Sequence, residues 1–547
     1  MPGQLNIISV ETAPIITQLL YTHSYPLSMS KWDFRRYILV YLIPILLVII
    51  PYISYQAATG FEFYPLFNPD HLRSDTANRV LDIRTQMVLT GEYYQPFFQS
   101  YNVEHPLSRR EFDHSSNLSY DGLIGDLICE DCNVVIFLVD ALRSDHMGFN
   151  GYPRNTTPNL DNIALASVNF ANAYSQEAYT TPSVASIFTS EYPKSHGIIE
   201  VPFENRLSDD HTTLAEVLSL EGYKTAAFVL NPFMHERKNL GQGFDTYYVN
   251  SRGFIGDEEV EKFETASKIE EKALKWLKEE RPEKFFLYLH YMDVHYPFIA
   301  PKPYDSMFCD PGGGLLPSKR RFQRLQICKY DQEIAYTDYM ISNLMGKISE
   351  YDENTLFIFT ADHGEEFFEH GGRFHVYTIY NEQLKVPLLF YKPGLDKGLV
   401  VKKPVEMIDL APSTLYLLGV EAPSTFKGMN FFNLSYDKPY IYAGGRYGRD
   451  MLIDGEIKYI RSRVNSYNEE FLMVRQEQVL ELPYRMEVYN LSSDPFEQRN
   501  LQLGCDNCAA HLQQMLLDYS FKDLQEENII ETPETVKDQL KSLGYVN

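Results

Sequence analysis

Short, almost wholly apolar runs recur from residue 133 onward and constrain the fold more than any other feature. Runs of this length are typical of strands buried on both faces of a parallel sheet. Helix-like stretches separate them, notably 260–280 and 331–350. The runs are 133–140 (NVVIFLVD), 225–231 (TAAFVLN), 285–293 (FFLYLHYMD), 355–362 (TLFIFTAD) and 386–391 (VPLLFY). This alternation predicts an α/β fold with a large, mostly parallel sheet flanked by helices.

Four of these runs end in polar, chemically capable residues. They are Asp140, Asn231, Asp293 with His295, and Asp362 with His363. In an open α/β sheet, ligands bind outside the carboxyl ends of the strands. We therefore expect these side chains to gather along one edge of the sheet.

The sequence pattern changes near residue 439, where glycine and asparagine interrupt short strand-like runs. The runs are 439–445, 450–462, 471–476 and 485–491, and a helical stretch at 508–524 follows them. They predict a smaller C-terminal sheet that is antiparallel. The chain then divides into a large α/β domain at 131–435 and a C-terminal subdomain at 436–547.

Residues 37–55 form a run of 19 residues without a charge. As a helix, this run would span about 28 Å, close to the hydrocarbon thickness of a bilayer. Basic residues precede it and acidic residues follow it, so the positive-inside rule predicts a cytoplasmic segment at 1–36. We expect a single-pass transmembrane helix at 37–55, a stalk or packing segment at 56–130, and an extracytoplasmic remainder at the cell membrane. A cleaved signal peptide is the alternative.

The six cysteines agree with that location, because an even number outside the cytoplasm favours disulfides. Cys309 and Cys328 bracket a Gly- and Pro-rich loop and form a plausible bridge. The other four lie in two CxxC pairs, at 129–132 and 505–508. These pairs form disulfides or together hold a zinc ion, and spacing leaves both alternatives open.

Net charge limits the range of partners. With 49 Lys and Arg against 74 Asp and Glu, the chain carries −25, which disfavours a nucleic-acid partner. An anionic substrate would need a locally positive site, supplied by a metal ion or by a few well-placed cationic side chains.

The predicted sheet edge carries a metal-ligand pattern. Asp362 and His363 follow one buried run, Gly364 comes next, and Asp140 follows another run. Two carboxylates and an imidazole suit one divalent ion with an open position, with Mn or Zn favoured over Mg or Ca.

A second pattern, AYTTPSVASIFTS at 178–190, predicts the beginning of a helix. Pro182 suits its first turn, with Thr180 or Thr181 near the N-cap. A hydroxyl there lies beside free backbone N–H groups that favour anions. Capping and catalysis are both compatible with these threonines.

These pieces together resemble the sulfatase family within the alkaline-phosphatase superfamily, from about residue 133 to the C-terminus. The matching segments occur in family order. They include VIFLVDALRSDHMGFNGYPRNTTPNLDNIA (135–164), AYTTPSVASIFTSEYPKSHGI (178–198), HYMDVHYPF (290–298), TADHGEEFFEHGG (360–372), VYNLSSDPFEQRNL (488–501) and a closing LKSLGYVN.

The resemblance implies a role for each matching residue. The implied metal ligands are Asp140, Thr180, Asp362 and His363; the implied catalytic residues are Thr180 as nucleophile, His295 as acid and Arg143 near the metal; and the implied substrate-binding residues are His375 and Asn231. Residues 131–435 would be the catalytic domain.

Departures from the family pattern alter the expected chemistry. Thr180 occupies the position of the sulfatase cysteine, and threonine cannot become formylglycine. Val184 replaces the motif's arginine, and Ala141 replaces a second acidic ligand. The pattern is similar instead to membrane-anchored phosphodiesterases and phosphotransferases of the superfamily that use threonine.

We therefore expect an extracytoplasmic enzyme that acts on phosphate esters or diesters through a covalent phosphothreonine, without formylglycine. Its substrate would be an anionic ester, lipid- or glycan-linked. The alternatives are a sulfuric ester hydrolase and a catalytically inactive, membrane-tethered relative.

Overall fold

The large sheet of the computed structural model contains eight strands. In spatial order they are β12 (Leu399–Val401), β2 (Ser167–Phe170), β11 (Leu388–Tyr391), β7 (Thr355–Ala361), β1 (Asn133–Val139), β6 (Phe285–Tyr291), β4 (Lys224–Val229) and β5 (Thr246–Val249). Every residue of β1, β6 and β7 is buried, as expected for apolar strands covered on both faces. The α/β prediction is confirmed.

The sheet is mixed, which corrects the prediction for one run. Five of its seven pairings are parallel, but β11 is antiparallel to both of its neighbours. The chain leaves β7 at the carboxyl edge of the sheet, and the end of the following loop lies at the same edge. There, the Gly364 amide donates to the Gln383 carbonyl at 2.7 Å. The chain therefore enters β11 from the edge at which β7 ended.

The structure describes residues 117–199, 205–250, 265–309, 319–444, 449–462 and 485–501. All of them except Lys319–Phe322 belong to one compact unit. The predicted transmembrane helix at 37–55, the run at 471–476, the helix at 508–524 and the 505–508 cysteine pair lie outside these ranges. Within them, no helix has the length and apolar character needed to cross a membrane.

Helices cover the large sheet and form its connections. Those described are α1 (Asn117–Leu127), α2 (Pro158–Ala164), α3 (Thr180–Thr189), α4 (Pro193–His196), α5 (Leu214–Leu220), α6 (Ala266–Glu280), α7 (Lys319–Tyr351), α8 (Asn381–Leu384) and α9 (Leu410–Leu417). Helix α6 buries Ile269, Ala273, Trp276 and Leu277, three to four residues apart, so one face packs on the core.

Three smaller sheets complete the described fold. One contains β10 (Lys385–Val386), β3 (Ala173–Tyr174) and β13 (Val405–Glu406), and another pairs β8 (Glu366–Phe367) with β9 (Arg373–Phe374). The third is antiparallel and contains β14 (Ile441–Gly444), β15 (Asp450–Asp454), β16 (Ile457–Ser462) and β17 (Arg485–Asn490). It confirms the predicted C-terminal antiparallel sheet.

Two disulfides link described cysteines. Cys309 is bonded to Cys328, as predicted. Cys129 is bonded to Cys132 within its own CxxC pair, so these two thiols pair with each other rather than holding zinc. Helix α1 precedes this bridge and buries Ile124 and Leu127 in the main core.

Candidate metal centre and nucleophile

Two carboxylates leave the sheet side by side at its carboxyl edge. Strands β1 and β7 are parallel, with Val139 opposite Ala361, so the next residues, Asp140 and Asp362, are neighbours. His363 follows directly. Asp140, Asp362 and His363 are fully buried, and one ligand atom from each lies within 4.8 Å of the others. The structure thus groups three of the predicted metal ligands.

Their hydrogen bonds leave the atoms that face one another without partners. Asp362 Oδ1 accepts from the backbone N–H groups of Ala141, at 3.2 Å, and His363, at 2.9 Å. Asp362 Oδ2 and Asp140 Oδ1 are buried and accept no hydrogen bond. His363 Nδ1 donates to the Gly364 carbonyl at 2.9 Å, so Nε2 carries a lone pair, 3.4 Å from Asp362 Oδ2 and 3.7 Å from Asp140 Oδ1. Buried electron-pair donors converging in this way fit a divalent cation.

The protonation of the two carboxylates supports this interpretation. Burial and the charge of Asp140 raise the pKa of Asp362 well above its ordinary value. Burial also opposes the charge of Asp140, but its hydrogen bond with His290 and the nearby imidazoles lower the pKa of Asp140 overall. A divalent ion would hold both groups ionised by compensating their repulsion.

The backbone around these ligands is unusually constrained. Ala141, in the position of the sulfatases' second acidic ligand, has a φ of 58°, and its carbonyl accepts from the Tyr330 hydroxyl at 2.7 Å. The N–H of Ala141, which donates to Asp362 Oδ1, helps to orient that carboxylate. This contact requires no particular side chain at residue 141. At Gly364, a Cβ atom would lie 2.1 Å from the Glu382 carbonyl oxygen, so only glycine allows this close approach.

Thr180 is the first residue of helix α3, which begins after Tyr179. Its hydroxyl donates to Asp140 Oδ2 at 3.3 Å and lies 3.4 Å from His363 Nε2. The side chain is 2 % exposed. The first N–H groups of a helix have no partners within it and favour negative charge nearby. Thr180 thus joins the ligand cluster at a helix N-terminus, an arrangement that suits a nucleophile.

Asn231 lies beyond the end of β4 and contacts the same cluster. Its Oδ1 accepts from the Phe233 amide at 2.8 Å, which fixes the orientation of the amide group. Its Nδ2 donates to Asp140 Oδ2 at 2.6 Å and to Thr180 Oγ1 at 3.2 Å. The amide of Asn231 thus bonds to the predicted nucleophile Thr180 and to the predicted metal ligand Asp140, and its role in substrate binding stays a prediction.

The other two histidines of the predicted site, His375 and His295, lie in a row with His363. The rings of His363 and His375 are 4.3 Å apart, and those of His375 and His295 are 5.0 Å apart. His295 Nδ1 donates to the Tyr296 carbonyl at 2.6 Å, and burial lowers the pKa of His295. His375 Nδ1 lies 3.2 Å from Glu365 Oε1. Both imidazoles are therefore placed beside the cluster, while their roles stay predictions.

Arg143 is near the cluster but is bonded to other groups. Its guanidinium donates to both oxygens of Asp145, at 2.9 and 2.8 Å, to the Glu365 carbonyl at 3.0 Å and to Glu369 Oε1 at 2.5 Å. Arg143 is 2 % exposed. These contacts favour a role in holding the loop after β7, and the predicted catalytic role stays untested.

Sequence reasoning missed His290. This residue lies within the apolar run of β6, is fully buried, and contacts Asp140 Oδ2 through Nε2 at 3.0 Å. The available signal was a histidine inside a buried strand, two residues after Tyr288.

The fold and this cluster, whose residues could hold a divalent metal ion, are those of a hydrolase of the alkaline-phosphatase superfamily. The family model described as Sulfatase matches residues 132–420, that is, 289 of the 547 residues. The chain therefore belongs to the sulfatase family, as the resemblance implied.

Known proteins of similar sequence or structure include sulfatases and a phosphonate monoester hydrolase. An ulvan-active sulfatase of Formosa agariphila is 28 % identical over 333 residues, which is 55 % of this chain and 64 % of that protein's length. The phosphonate monoester hydrolase from Silicibacter pomeroyi has a TM-score of 0.58 at 18 % identity, covering 71 % of this chain and 95 % of that one. A structure solved with its substrate D-glucosamine-2-N,6-O-disulfate has a TM-score of 0.55 at 18 % identity, covering 76 % and 98 %.

Proposed function

We propose that this chain is an extracytoplasmic, metal-dependent enzyme that cleaves phosphate diesters with Thr180 as its nucleophile. The phospho group passes through a covalent phosphothreonine to water or to a hydroxyl of a sugar. Lipid- or glycan-linked esters are the proposed physiological substrates. The predicted transmembrane helix at 37–55 would keep the site at the outer face of the cell membrane.

The position of the Thr180 hydroxyl is the observation that carries this proposal. It lies 3.3 Å from Asp140 Oδ2, 3.4 Å from His363 Nε2 and 3.2 Å from Asn231 Nδ2. A threonine that only capped its helix would direct its oxygen to a backbone N–H of the first turn. Here the oxygen faces the metal-ligand cluster instead, which supports its use in chemistry.

Asp140, Asp362, His363 and Thr180 are the residues that would hold the ion. Bound there, a divalent cation would lower the pKa of the Thr180 hydroxyl and offset negative charge on the substrate. The donor set of two carboxylates, an imidazole and a hydroxyl favours Mn or Zn, and Mg or Ca are the alternatives.

In each step of the proposed reaction, one bond to phosphorus forms as another breaks. Thr180 Oγ1 forms a bond to phosphorus as the bond from phosphorus to the leaving oxygen breaks. Asp140 Oδ2, which already accepts the hydroxyl hydrogen bond, is placed to receive the Thr180 proton. The leaving oxygen takes a proton from His295. A water or sugar hydroxyl then attacks phosphorus as the bond from phosphorus to Thr180 Oγ1 breaks. The attacking hydroxyl gives its proton to His295, and Thr180 regains its proton from Asp140.

His295 must carry a proton at Nε2 to act as this acid. In the substrate-free chain, burial lowers the pKa of His295, and Nδ1 already donates to a carbonyl. A substrate anion nearby raises the pKa of an imidazole. We therefore expect substrate binding to promote protonation of His295.

Charge balance supports a monoanionic substrate. Two carboxylates and a divalent cation sum to zero, the guanidinium of Arg143 is bonded to Asp145 and Glu369, and Val184 stands where sulfatases have arginine. A dianionic phosphate monoester would need a further cation for the same stabilisation. Phosphate diesters, phosphonate monoesters and sulfate monoesters each carry one charge.

Sulfate ester hydrolysis is the second candidate, because family membership and the sulfatase relatives favour it. Thr180 argues against it, since formylglycine, formed from cysteine or serine, expels sulfate after the first step. A related phosphonate monoester hydrolase shows that this fold also accepts phosphorus esters.

The test uses the full-length chain supplied separately with Mn²⁺, Zn²⁺, Mg²⁺ or Ca²⁺. Turnover of bis(p-nitrophenyl) phosphate, p-nitrophenyl phosphate, a p-nitrophenyl phosphonate and p-nitrophenyl sulfate is compared. Thr180→Ala removes the proposed nucleophile. Thr189→Ala is the matched control, because Thr189 lies at the far end of the same helix and donates only to the Ala185 carbonyl, at 2.7 Å.

We expect diester turnover that Thr180→Ala abolishes and Thr189→Ala retains. Sulfate turnover exceeding diester turnover would instead favour the second candidate. Inactivity toward all four substrates, with no divalent ion bound, would favour a tethered relative without activity.

A further inference from the structure

Tyr288 and His290 lie on one face of β6, because residues two apart in a strand point the same way. Their backbone partners on β1 are Ile136 and Leu138. Asp140 follows two residues after Leu138, so His290 and Asp140 share that face of the sheet. Tyr288 and His290 are both completely buried.

Hydrogen bonds join these residues into a chain that ends at the metal-ligand cluster. The Tyr288 hydroxyl lies 2.9 Å from His290 Nδ1, and His290 Nε2 lies 3.0 Å from Asp140 Oδ2. An ionised carboxylate only accepts, so His290 Nε2 carries the hydrogen. In the neutral imidazole, Nδ1 then accepts from the Tyr288 hydroxyl, which fixes this tautomer.

The two oxygens of Asp140 therefore have different surroundings. Oδ2 accepts from His290, from Asn231 at 2.6 Å and from Thr180 at 3.3 Å. Oδ1 is buried, accepts no hydrogen bond, and faces His363 Nε2 at 3.7 Å.

We infer that His290, oriented by Tyr288, is a positioning residue for the metal site. Its hydrogen bond occupies Asp140 Oδ2 and thereby presents Oδ1 to the divalent ion. Without that bond, Oδ2 keeps only its hydrogen bonds with Asn231 and Thr180, so Oδ1 is held less firmly toward the ion. The inference rests on the metal site of the proposed function and makes no use of the substrate.

A purely structural role is the alternative, in which the pair only fills the core between β1 and the neighbouring strands. The two roles differ in what they predict for conservative variants. A space-filling role tolerates an isosteric apolar ring, whereas a positioning role requires an N–H donor at the place of Nε2.

The experiment measures Mn²⁺ affinity of the full-length chain by isothermal titration calorimetry, without substrate. His290→Phe keeps a ring and removes the donor, while His290→Gln restores an N–H donor. Tyr288→Phe leaves the imidazole in place and removes only the hydroxyl. Tyr223→Phe is the matched control, since its hydroxyl donates to the Cys132 carbonyl at 3.0 Å, at the opposite end of the sheet.

Loss of a hydrogen bond to a metal ligand typically weakens metal binding by roughly 10- to 100-fold. We expect a loss in that range for His290→Phe, substantial recovery in His290→Gln, and a smaller loss of about threefold to tenfold for Tyr288→Phe by the same reasoning. Tyr223→Phe should bind Mn²⁺ as the wild type does.

Unchanged affinity in a folded His290→Phe variant would overturn the inference. If that variant does not fold, Tyr288→Phe decides, and wild-type affinity there overturns the inference as well. A wild-type chain that binds none of Mn²⁺, Zn²⁺, Mg²⁺ and Ca²⁺ would overturn the metal site itself. The two kinds of failure are distinguishable, because overturning the inference about His290 leaves wild-type metal binding intact, whereas overturning the metal site does not.

Discussion

Replacing Asp362 with asparagine should stabilise the metal-free chain and remove its metal site. An asparagine can keep Oδ1 as the acceptor for the N–H groups of Ala141 and His363. Its NH₂ group then replaces Oδ2 beside His363 Nε2, where the carboxylate oxygen lay at 3.4 Å. The variant thus places a hydrogen-bond donor where the wild type has a carboxylate oxygen that could bind a cation.

Linkage gives the size of the effect. The raised pKa of Asp362 means that the metal-free folded chain binds a proton that the unfolded chain, with a pKa of 3.8, releases. Wild-type stability therefore falls as pH rises through this window. At about 1.36 kcal/mol per pH unit, the upper limit of this cost is about 4 kcal/mol at pH 7 and about 2 kcal/mol at pH 5. Asp362→Asn removes it.

The assay is urea unfolding in EDTA at pH 5 and pH 7, repeated with Mn²⁺. Without metal, Asp362→Asn should be more stable than the wild type, and the difference should be larger at pH 7 than at pH 5. Mn²⁺ should not increase the stability of this variant. Asp396→Asn, at an exposed carboxylate, is the control and should behave as the wild type. If Asp362→Asn is no more stable than the wild type at pH 7 without metal, the charge of Asp362 does not destabilise the metal-free chain and this prediction is wrong.

Three further predictions follow from the contacts of single residues. Asn231→Ala removes a donor to Thr180 Oγ1 and should lower kcat by roughly 10- to 100-fold with little change in KM; an unchanged kcat contradicts this. Arg143→Gln leaves Glu369 buried without its ion pair and should cost about 3–5 kcal/mol in urea unfolding, whereas a loss below 1 kcal/mol would contradict it. Burial opposes the charge of His370, but Glu382 raises its pKa to about 10. Its contribution to stability is therefore complete below pH 6.5 and lost as pH rises toward 10; His370→Gln should flatten that part of the thermal unfolding profile.

The sequence predicted the central strands well because burial on both faces leaves a continuous apolar signal. The runs at 133–140 and 355–362 correspond to β1 and β7, each within one residue. Short strands such as β5, at one edge of the sheet, and β2, next to the other edge, carry no comparable run and were not predicted. The direction of β11 depends on the path of residues 362–387, which local patterns do not encode.

The site was predictable where chemistry lies directly at strand ends. Asp140, Asp362 and His363 are grouped as expected because parallel strands bring their carboxyl ends to one edge. His290 was missed because its contact with Asp140 depends on the register of the neighbouring strand β1 rather than on its own position in the sequence. The contacts of Arg143 were likewise unpredictable, since Glu369 lies 226 residues away in the sequence.

The covalent state of Thr180 during turnover decides whether this residue is the nucleophile. Full-length chain loaded with Mn²⁺ is mixed with bis(p-nitrophenyl) phosphate, quenched in acid within the first turnover, digested, and analysed by mass spectrometry. We expect a p-nitrophenyl phosphoryl group on Thr180, because attack on this diester expels one p-nitrophenolate and leaves the other ester bond intact. Thr189→Ala should retain this adduct, and Thr180→Ala should lack it. Steady diester turnover by a Thr180→Ala chain, or an adduct on any other residue, would contradict this expectation.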